Sequence, residues 1–126
     1  MPSALSHVSL GTNDFDRAKA FYDAVLATLG IRCLMAFTGG AGYGHEMPDF
    51  WIQHPHDRGR ATAGNGVHVC FVAQSVEQVK AFHAKVLELG GQDEGVPGYR
   101  KEYTENYYAA FGRDLDGNKI EALVFT

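Results

Sequence analysis

Val67-His68-Val69-Cys70-Phe71 decides how this chain is read, because Ser6-His7-Val8-Ser9-Leu10 is an earlier version of the same phrase. Displaced by 61 positions (68 − 7), His68 falls on His7, Lys80-Ala81-Phe82 on Lys19-Ala20-Phe21, Val86-Leu87 on Val25-Leu26, and Gly91 on Gly30. One offset shared by so many apolar and turn positions marks an internal duplication. Each half reads as a histidine-bearing strand, a helix and further strand material. The two histidines therefore occupy equivalent places.

Outward from the first copy, Leu5 to Leu10 alternates as a strand does, with Val8 and Leu10 on one face and His7 and Ser9 on the other. Asn13 or Asp14 can cap a helix whose apolar positions Ala18, Phe21, Tyr22, Val25 and Leu29 recur at helical spacing before Gly30. Ile31 to Phe37 is strand-prone, Thr38 to Gly44 reads as a glycine-rich turn, and Asp49 to Gln53 is the next strand, with Trp51 and Gln53 on one face. The glycines are not a phosphate loop, since no Lys-Ser/Thr follows and Pro48 lies where a helix would have to run.

Outward from the second copy, Ser75-Val76-Glu77-Gln78 is a capping box for a helix that turns Val76, Val79, Phe82, Val86 and Leu89 inward. Gln92 to Glu105 reads as a loop with a short strand near Val96. Asn106 to Phe111 and Lys119 to Phe125 read as a strand pair, with Ile120, Ala122 and Val124 on one face and Glu121 on the other. The expected organisation is a single domain over 1–126, with one module over about 1–55, a linker over about 56–65 and a second module over about 66–126.

Composition narrows the function classes. At 126 residues, with 45% hydrophobic and 21% charged residues, the chain can bury a core without a metal or disulfide to hold it together. A net charge of −4 with no basic cluster argues against nucleic acid as a partner. No apolar run reaches the length of a membrane span, and the first residues lack a basic region followed by an apolar one, so the expectation is a cytoplasmic protein with no membrane partner. Cys33 and Cys70 fall inside expected strands at unrelated spacing, as reduced thiols do.

Chemistry concentrates in three residues. Glu121 is flanked by Ile120, Ala122, Leu123, Val124 and Phe125, and a carboxylate in such surroundings needs a partner or a cation. Two neutral imidazoles, His7 and His68, with that carboxylate form a ligand set suited to a divalent transition metal with positions left open for substrate. Zn, Ni, Co, Mn and Fe all accept such donors, so the pattern leaves the ion's identity open. Other candidates read more simply. His54-Pro55-His56 lies in a solvated linker beside Asp57, Arg58 and Arg60, and Cys70 among Val69, Phe71 and Val72 is a small hydrophobe. Trp51 can wall a pocket or fill the core, Tyr107 shares a strand face with Ala109 and Phe111, and Arg100 and Lys101 can hold an anionic group or be surface charges.

The succession of strand histidine, helix, strands, second strand histidine, second helix and a closing Asp-Leu-Asp-Gly-Asn-Lys-Ile-Glu strand resembles the vicinal oxygen chelate superfamily, to which glyoxalase I, fosfomycin-resistance, bleomycin-resistance and extradiol dioxygenase proteins belong. The resemblance covers essentially the whole chain. It implies an α+β fold of two tandem βαβββ modules whose sheets form a cup, with the helices on the outer face. It places metal ligands at His7, His68 and Glu121, with Glu121 doubling as the catalytic base in a lyase or isomerase. It further implies a homodimer in which His7 of one chain meets His68 and Glu121 of the other.

Gln53 falls at or near the position of the fourth ligand, a glutamate, of bacterial glyoxalase I. Trp51, Gln53, Arg100 and Tyr107 are the expected substrate contacts. The expected function is a divalent-metal-dependent lyase, isomerase or transferase acting on a small oxygen-bearing substrate. An extradiol-type dioxygenase and a metal-free drug-binding protein of the bleomycin-resistance type are the alternatives.

Overall fold

The computed structural model describes residues 3–126. The first module runs β1 (Val8–Gly11), α1 (Phe15–Ala27), β2 (Arg32–Phe37), β3 (Gly40–Gly44) and β4 (Phe50–Gln53). The second runs β5 (His68–Val72), α2 (Val76–Glu88), β6 (Gln92–Tyr99), β7 (Tyr107–Arg113) and β8 (Lys119–Phe125). Each folds into a four-stranded mixed sheet, in the orders β1-β4-β3-β2 and β5-β8-β7-β6. The first strand of each lies parallel to the last, β1 on β4 and β5 on β8, and the remaining pairs are antiparallel. This is the α+β arrangement of two βαβββ units.

The duplication survives at residue level. Both helices start and stop 61 residues apart (76 − 15 and 88 − 27). Their caps keep the same interval: the Asp14 carboxylate accepts from Arg17 N–H and the Ser75 hydroxyl from Gln78 N–H. Each cap satisfies one of the donors that a helix start leaves free. The α1 face that carries Phe21, Tyr22, Val25 and Leu26 is buried, as is the α2 face with Val79, Phe82 and Val86. Removing one such side chain from water is worth about 1.5–3 kcal/mol, so these two stripes dominate the packing of the helices on their sheets.

Two expectations give way. Thr38 to Gly44 is not a turn throughout: Gly40–Gly44 is a strand paired on both sides, to β2 and to β4. Glycine has low strand propensity, and what holds the segment extended is its neighbours rather than its own side chains. Gln92 to Tyr99, expected as loop with a short strand near Val96, is strand throughout its eight residues, and its register against β7 shifts between Asp93 and Gly95 and again between Gly95 and Gly98. Bulges of that kind erase the two-residue alternation by which a strand is recognised. The first bulge is fixed by Asp93, whose carboxylate accepts from Gly95 N–H and from His83 on α2 at 2.9 Å each. Those two bonds hold the Asp93 carboxyl below its ordinary value, the His83 bond being the larger cause.

The modules share one core. Phe50 of β4 meets Phe71 of β5 edge to face at 4.9 Å between ring centroids, and Tyr22 packs on Phe50 at 5.0 Å. A polar clamp runs alongside. Buried Asp114, in the β7–β8 turn, accepts from the Tyr22 hydroxyl on α1 at 2.5 Å, and Asn118 donates from Nδ2 to the carbonyl of Gly11 at 3.3 Å. Cys33 and Cys70 are free thiols. Among the described residues, no helix is long and apolar enough to cross a membrane.

Candidate functional site

Glu121 sits in the middle of β8, where its neighbours across the sheet are Cys70 on β5 and Phe111 on β7. Ile120 and Ala122 point into the core, so the pleat sends Glu121 to the opposite, open face. It is nevertheless 1% exposed. What covers it is polar. His68, one strand away, sets its Nε2 3.0 Å from Glu121 Oε1, and the Tyr107 hydroxyl donates to Oε2 at 2.5 Å. Both carboxylate oxygens thus have a partner, and no buried side-chain nitrogen or oxygen among the described residues lacks one.

The electrostatic consequences follow from crowding around one carboxylate. Desolvation, and then the hydrogen bond to Glu121, push the Tyr107 phenol well above its ordinary value, so it remains a proton donor at neutral pH. Desolvation and the charge of Glu121 likewise push the Cys70 thiol far up, which keeps it from acting as a thiolate. Above this group opens a cavity of about 650 Å³, lined by His68, Phe111, Tyr103, Tyr107, Arg100 and Lys119 among others. The Arg100 guanidinium lies 5.5 Å and the Lys119 ammonium 5.1 Å from the centre of the Phe111 ring. Arg100 follows β6 directly and is held there by that strand, donating to the carbonyls of Gly98 and Val96 at 3.0 and 2.7 Å.

The structure therefore brings together three residues read from the sequence, His68, Glu121 and Tyr107, with Arg100 at the rim. His7 is elsewhere. It precedes β1, bonds through Nδ1 to the Ser6 hydroxyl at 3.0 Å, and lines a separate cavity of about 430 Å³ with Cys70, Val72 and His45. Among the described residues, no three His, Cys, Asp or Glu side chains of the single chain converge as a metal site.

Strand register shows what His7 and its neighbours correspond to. Val8 faces Phe50 and Ser9 faces Trp51 in the first module; Val69 faces Ile120 and Cys70 faces Glu121 in the second. Since His7 matches His68, Ser9 matches Cys70, and the counterpart of Glu121 is Trp51. Gln53 lies two residues further on, opposite Gly11, and lines a third cavity with His54 and Arg58. The sequence comparison misses this because the offset grows from 61 at the helices to 70 (121 − 51) at the last strands. Sequence reasoning put Phe111 on the face of Tyr107 without a role in the site, and passed over Lys119. The alternation of β7 and β8 around Tyr107 and Glu121 carried the signal for both.

The donors present can be tested against a metal. Bonds of about 2.0–2.1 Å put two ligand atoms about 2.9 Å apart at a right angle and about 3.3 Å apart at a tetrahedral one. The 3.0 Å between His68 Nε2 and Glu121 Oε1 lies within that span, on a face open to further donors. The pair fits as part of a nitrogen-and-oxygen site.

Comparison with known proteins agrees with the fold. The pattern that defines the Glyoxalase/Bleomycin resistance protein/Dioxygenase superfamily matches residues 4–122. A glyoxalase/bleomycin resistance protein from Albidiferax ferrireducens T118 is similar at 44% identity, over 96% of this chain and 98% of that one, with a TM-score of 0.86. Lactoylglutathione lyase from Agrobacterium tumefaciens shares the fold at 24% identity, over 97% and 93% of the two chains, with a TM-score of 0.65. So does the fosfomycin resistance protein FosX from Listeria monocytogenes, at 18% identity, over 100% and 96%, with a TM-score of 0.70. No curated protein matches the chain.

Proposed function

The chain belongs to the Glyoxalase/Bleomycin resistance protein/Dioxygenase superfamily, and from that premise we propose that it is a divalent-metal-dependent enzyme of glyoxalase type. It acts on a small substrate with two neighbouring oxygens, at a site completed by a second copy of the chain. The observation that carries this reading is the Glu121 carboxylate, 1% exposed on the open face of a sheet, with one oxygen 3.0 Å from His68 Nε2. Taking a carboxylate out of water is costly unless positive charge or donors share its place. His68, Glu121 and His7 of the partner subunit would hold the ion.

A bound divalent ion would supply Lewis acidity, lowering the energy of negative charge that develops on a substrate oxygen. The chain's own residues do the rest. Tyr107 donates to Glu121 Oε2 and fixes the carboxylate, so that only Oε1 is presented beside His68. In a lyase or isomerase, Oε1, released from its place as a ligand, would take the proton from the carbon next to a substrate carbonyl, and Tyr107 would keep the resulting carboxyl in place. Arg100, pinned by two backbone carbonyls, presents its free edge to an anionic substituent. Phe111 and Tyr103 form the aromatic part of the wall.

A metal-free binding role is the second reading. It is favoured by the hydrogen bonding of Glu121, both of whose oxygens already have partners inside one chain. Stripping the protein with a chelator and reloading it with Zn, Ni, Co, Mn or Fe(II) separates the two. The enzyme reading expects about one ion retained per chain, and affinity lowered about 100-fold or more by His7→Ala and by His68→Ala alike. Uptake indifferent to both substitutions, or no uptake, favours the binding protein.

A further inference from the structure

Arg100 lies against the Phe111 ring because β6 carries one residue too many. Asp93 pairs with Gly112 and Gly95 with Phe111, so Glu94 and Gly95 together occupy the place of one residue. In a regular strand Gly95 would share the helix-facing side with Asp93, and Glu94 would stand opposite Phe111. The bulge instead turns Gly95 to the open face, where a Cβ would stand 3.0 Å from both the Arg100 guanidinium and the Phe111 ring. A side chain there would push the guanidinium outward. Glu94, the extra residue, is taken up by Arg113 at 2.8 Å, so its charge is not left to Arg100.

What holds the bulge lies outside the cavity. Asp93 Oδ1 accepts from both the Gly95 N–H and His83 Nε2, and neither Asp93 nor His83 lines the site. His83 is buried on α2, which packs against β6, β7 and β8, so its imidazole is the fixed end of the pair and exposed Asp93 the tethered one. Packing alone does not call for a histidine here. The stripe of Val79, Phe82 and Val86 would accept an apolar residue at 83, and what the imidazole adds is the bond to Asp93. The carbonyls of Val96 and Gly98, which pin the Arg100 guanidinium, follow directly after the tethered Gly95.

We infer that His83 and Asp93 are positioning residues for Arg100: together they lock the β6 bulge that aims its guanidinium, and so set how tightly the site takes an acidic substituent of its substrate. This rests on the role given to Arg100 above. An arginine reads an anion through the direction of its planar N–H fork, so a small rotation weakens it more than it would a point charge. Once Asp93 lets go, the Gly95 peptide is free to swing, the carbonyls of Val96 and Gly98 move with it, and the guanidinium loses its aim. The effect is confined to the acidic end of a ligand, because His68, Tyr107 and Glu121 stand on β5, β7 and β8, strands to which the bulge does not belong. The substrate class is therefore one that carries an acidic group apart from its paired oxygens.

Full-length protein loaded with Zn or Co is titrated with succinohydroxamate, whose paired oxygens carry a chain ending in a carboxylate, and with butyrohydroxamate, the same chain ending in a methyl group. The wild type is expected to prefer the carboxylate ligand about 10-fold, and Arg100→Ala to lose that preference. His83→Phe fills the helix position without the N–H, and Asp93→Ala alters only the exposed end. Each is expected to cut the preference to about 2-fold or less with butyrohydroxamate unmoved, and His83→Gln, which restores a donor, to regain it. With Arg100→Ala already present, His83→Phe should change nothing further. Equal weakening of both ligands, a preference indifferent to the substitutions, a wild type without preference, or no rescue by glutamine overturns the proposal; should His83→Phe not fold, Asp93→Ala decides. Failure of the metal reading looks different: neither hydroxamate then depends on added metal. In that event the reaction of Arg100 with phenylglyoxal in metal-free protein, read by peptide mass, must be about 3-fold or more faster in His83→Phe and Asp93→Ala than in wild type and His83→Gln, and equal rates overturn the positioning role.

Discussion

Replacing Glu121 by glutamine is expected to lower divalent-metal affinity by about 100-fold or more while moving the melting temperature by no more than about 3 °C. The two effects separate because the amide keeps the size of the side chain and still offers an oxygen to the Tyr107 hydroxyl, so the buried position on β8 stays filled and satisfied. What disappears is the negative charge and with it the anionic oxygen beside His68 Nε2. Loss of outer-shell partners alone costs 10- to 100-fold in metal affinity, and loss of a ligand should exceed that. Calorimetric titration with Zn and Co, alongside thermal unfolding of the metal-free proteins, checks both halves. A glutamine variant that keeps its affinity would remove Glu121 from the ligand set.

The second large effect is expected at Asp114, and it falls on stability rather than on the site. The carboxylate accepts from the Tyr22 hydroxyl, from Asn118 Nδ2, and from the backbone N–H groups of Asp116 and Asn118. It thereby ties α1 of the first module to the β7–β8 turn of the second. Asp114→Ala strands these donors, including the phenol of Tyr22, which is 1% exposed. The expected loss is about 3–5 kcal/mol at neutral pH, or roughly 10–20 °C in melting temperature.

The pH dependence of that loss has a definite sign. Burial raises the Asp114 carboxyl above its ordinary value, against the opposing bonds from Tyr22 and Asn118. An acid whose folded value is raised contributes most stability below its unfolded value, and part of that contribution is lost as pH rises through the folded one. The gap between wild type and Asp114→Ala should therefore be wider in acid than at neutrality. Unfolding curves across the acid range test this, and a gap that widens toward neutral pH would contradict it.

Most of the scaffold was legible because duplication and periodicity speak twice. Lys19-Ala20-Phe21 and Lys80-Ala81-Phe82 announce matching helices, and the alternation around His68 and Glu121 puts both on one open face, where the structure has them. The silent parts are those whose conformation is imposed from outside. Gly40–Gly44 is a strand because Phe37 and Trp51 cover it and β2 and β4 pair with it, none of which its own glycines reveal. Residues 92–99 hide a strand behind two bulges. The register counterpart of Glu121 is Trp51, two residues before Gln53, and the sequence does not reveal it because β4 and β8 share no identical residue at matched positions and only hydrogen-bond register aligns them. The Tyr107 bond to Glu121 depends on a side chain of β7 reaching along the adjacent β8, from a position paired with Phe125 to Glu121, a distance that spacing alone does not give.

The claim on which the account turns is that one site draws His7 from one copy and His68 with Glu121 from the other. Chains carrying His7→Ala and chains carrying His68→Ala can be unfolded together, refolded as a mixture, and measured for bound metal. In the mixed dimers one site receives both substitutions and the other receives neither, so random pairing should restore about a quarter of the wild-type capacity although each variant alone binds none. A mixture that binds no more metal than its separate components would contradict the shared site.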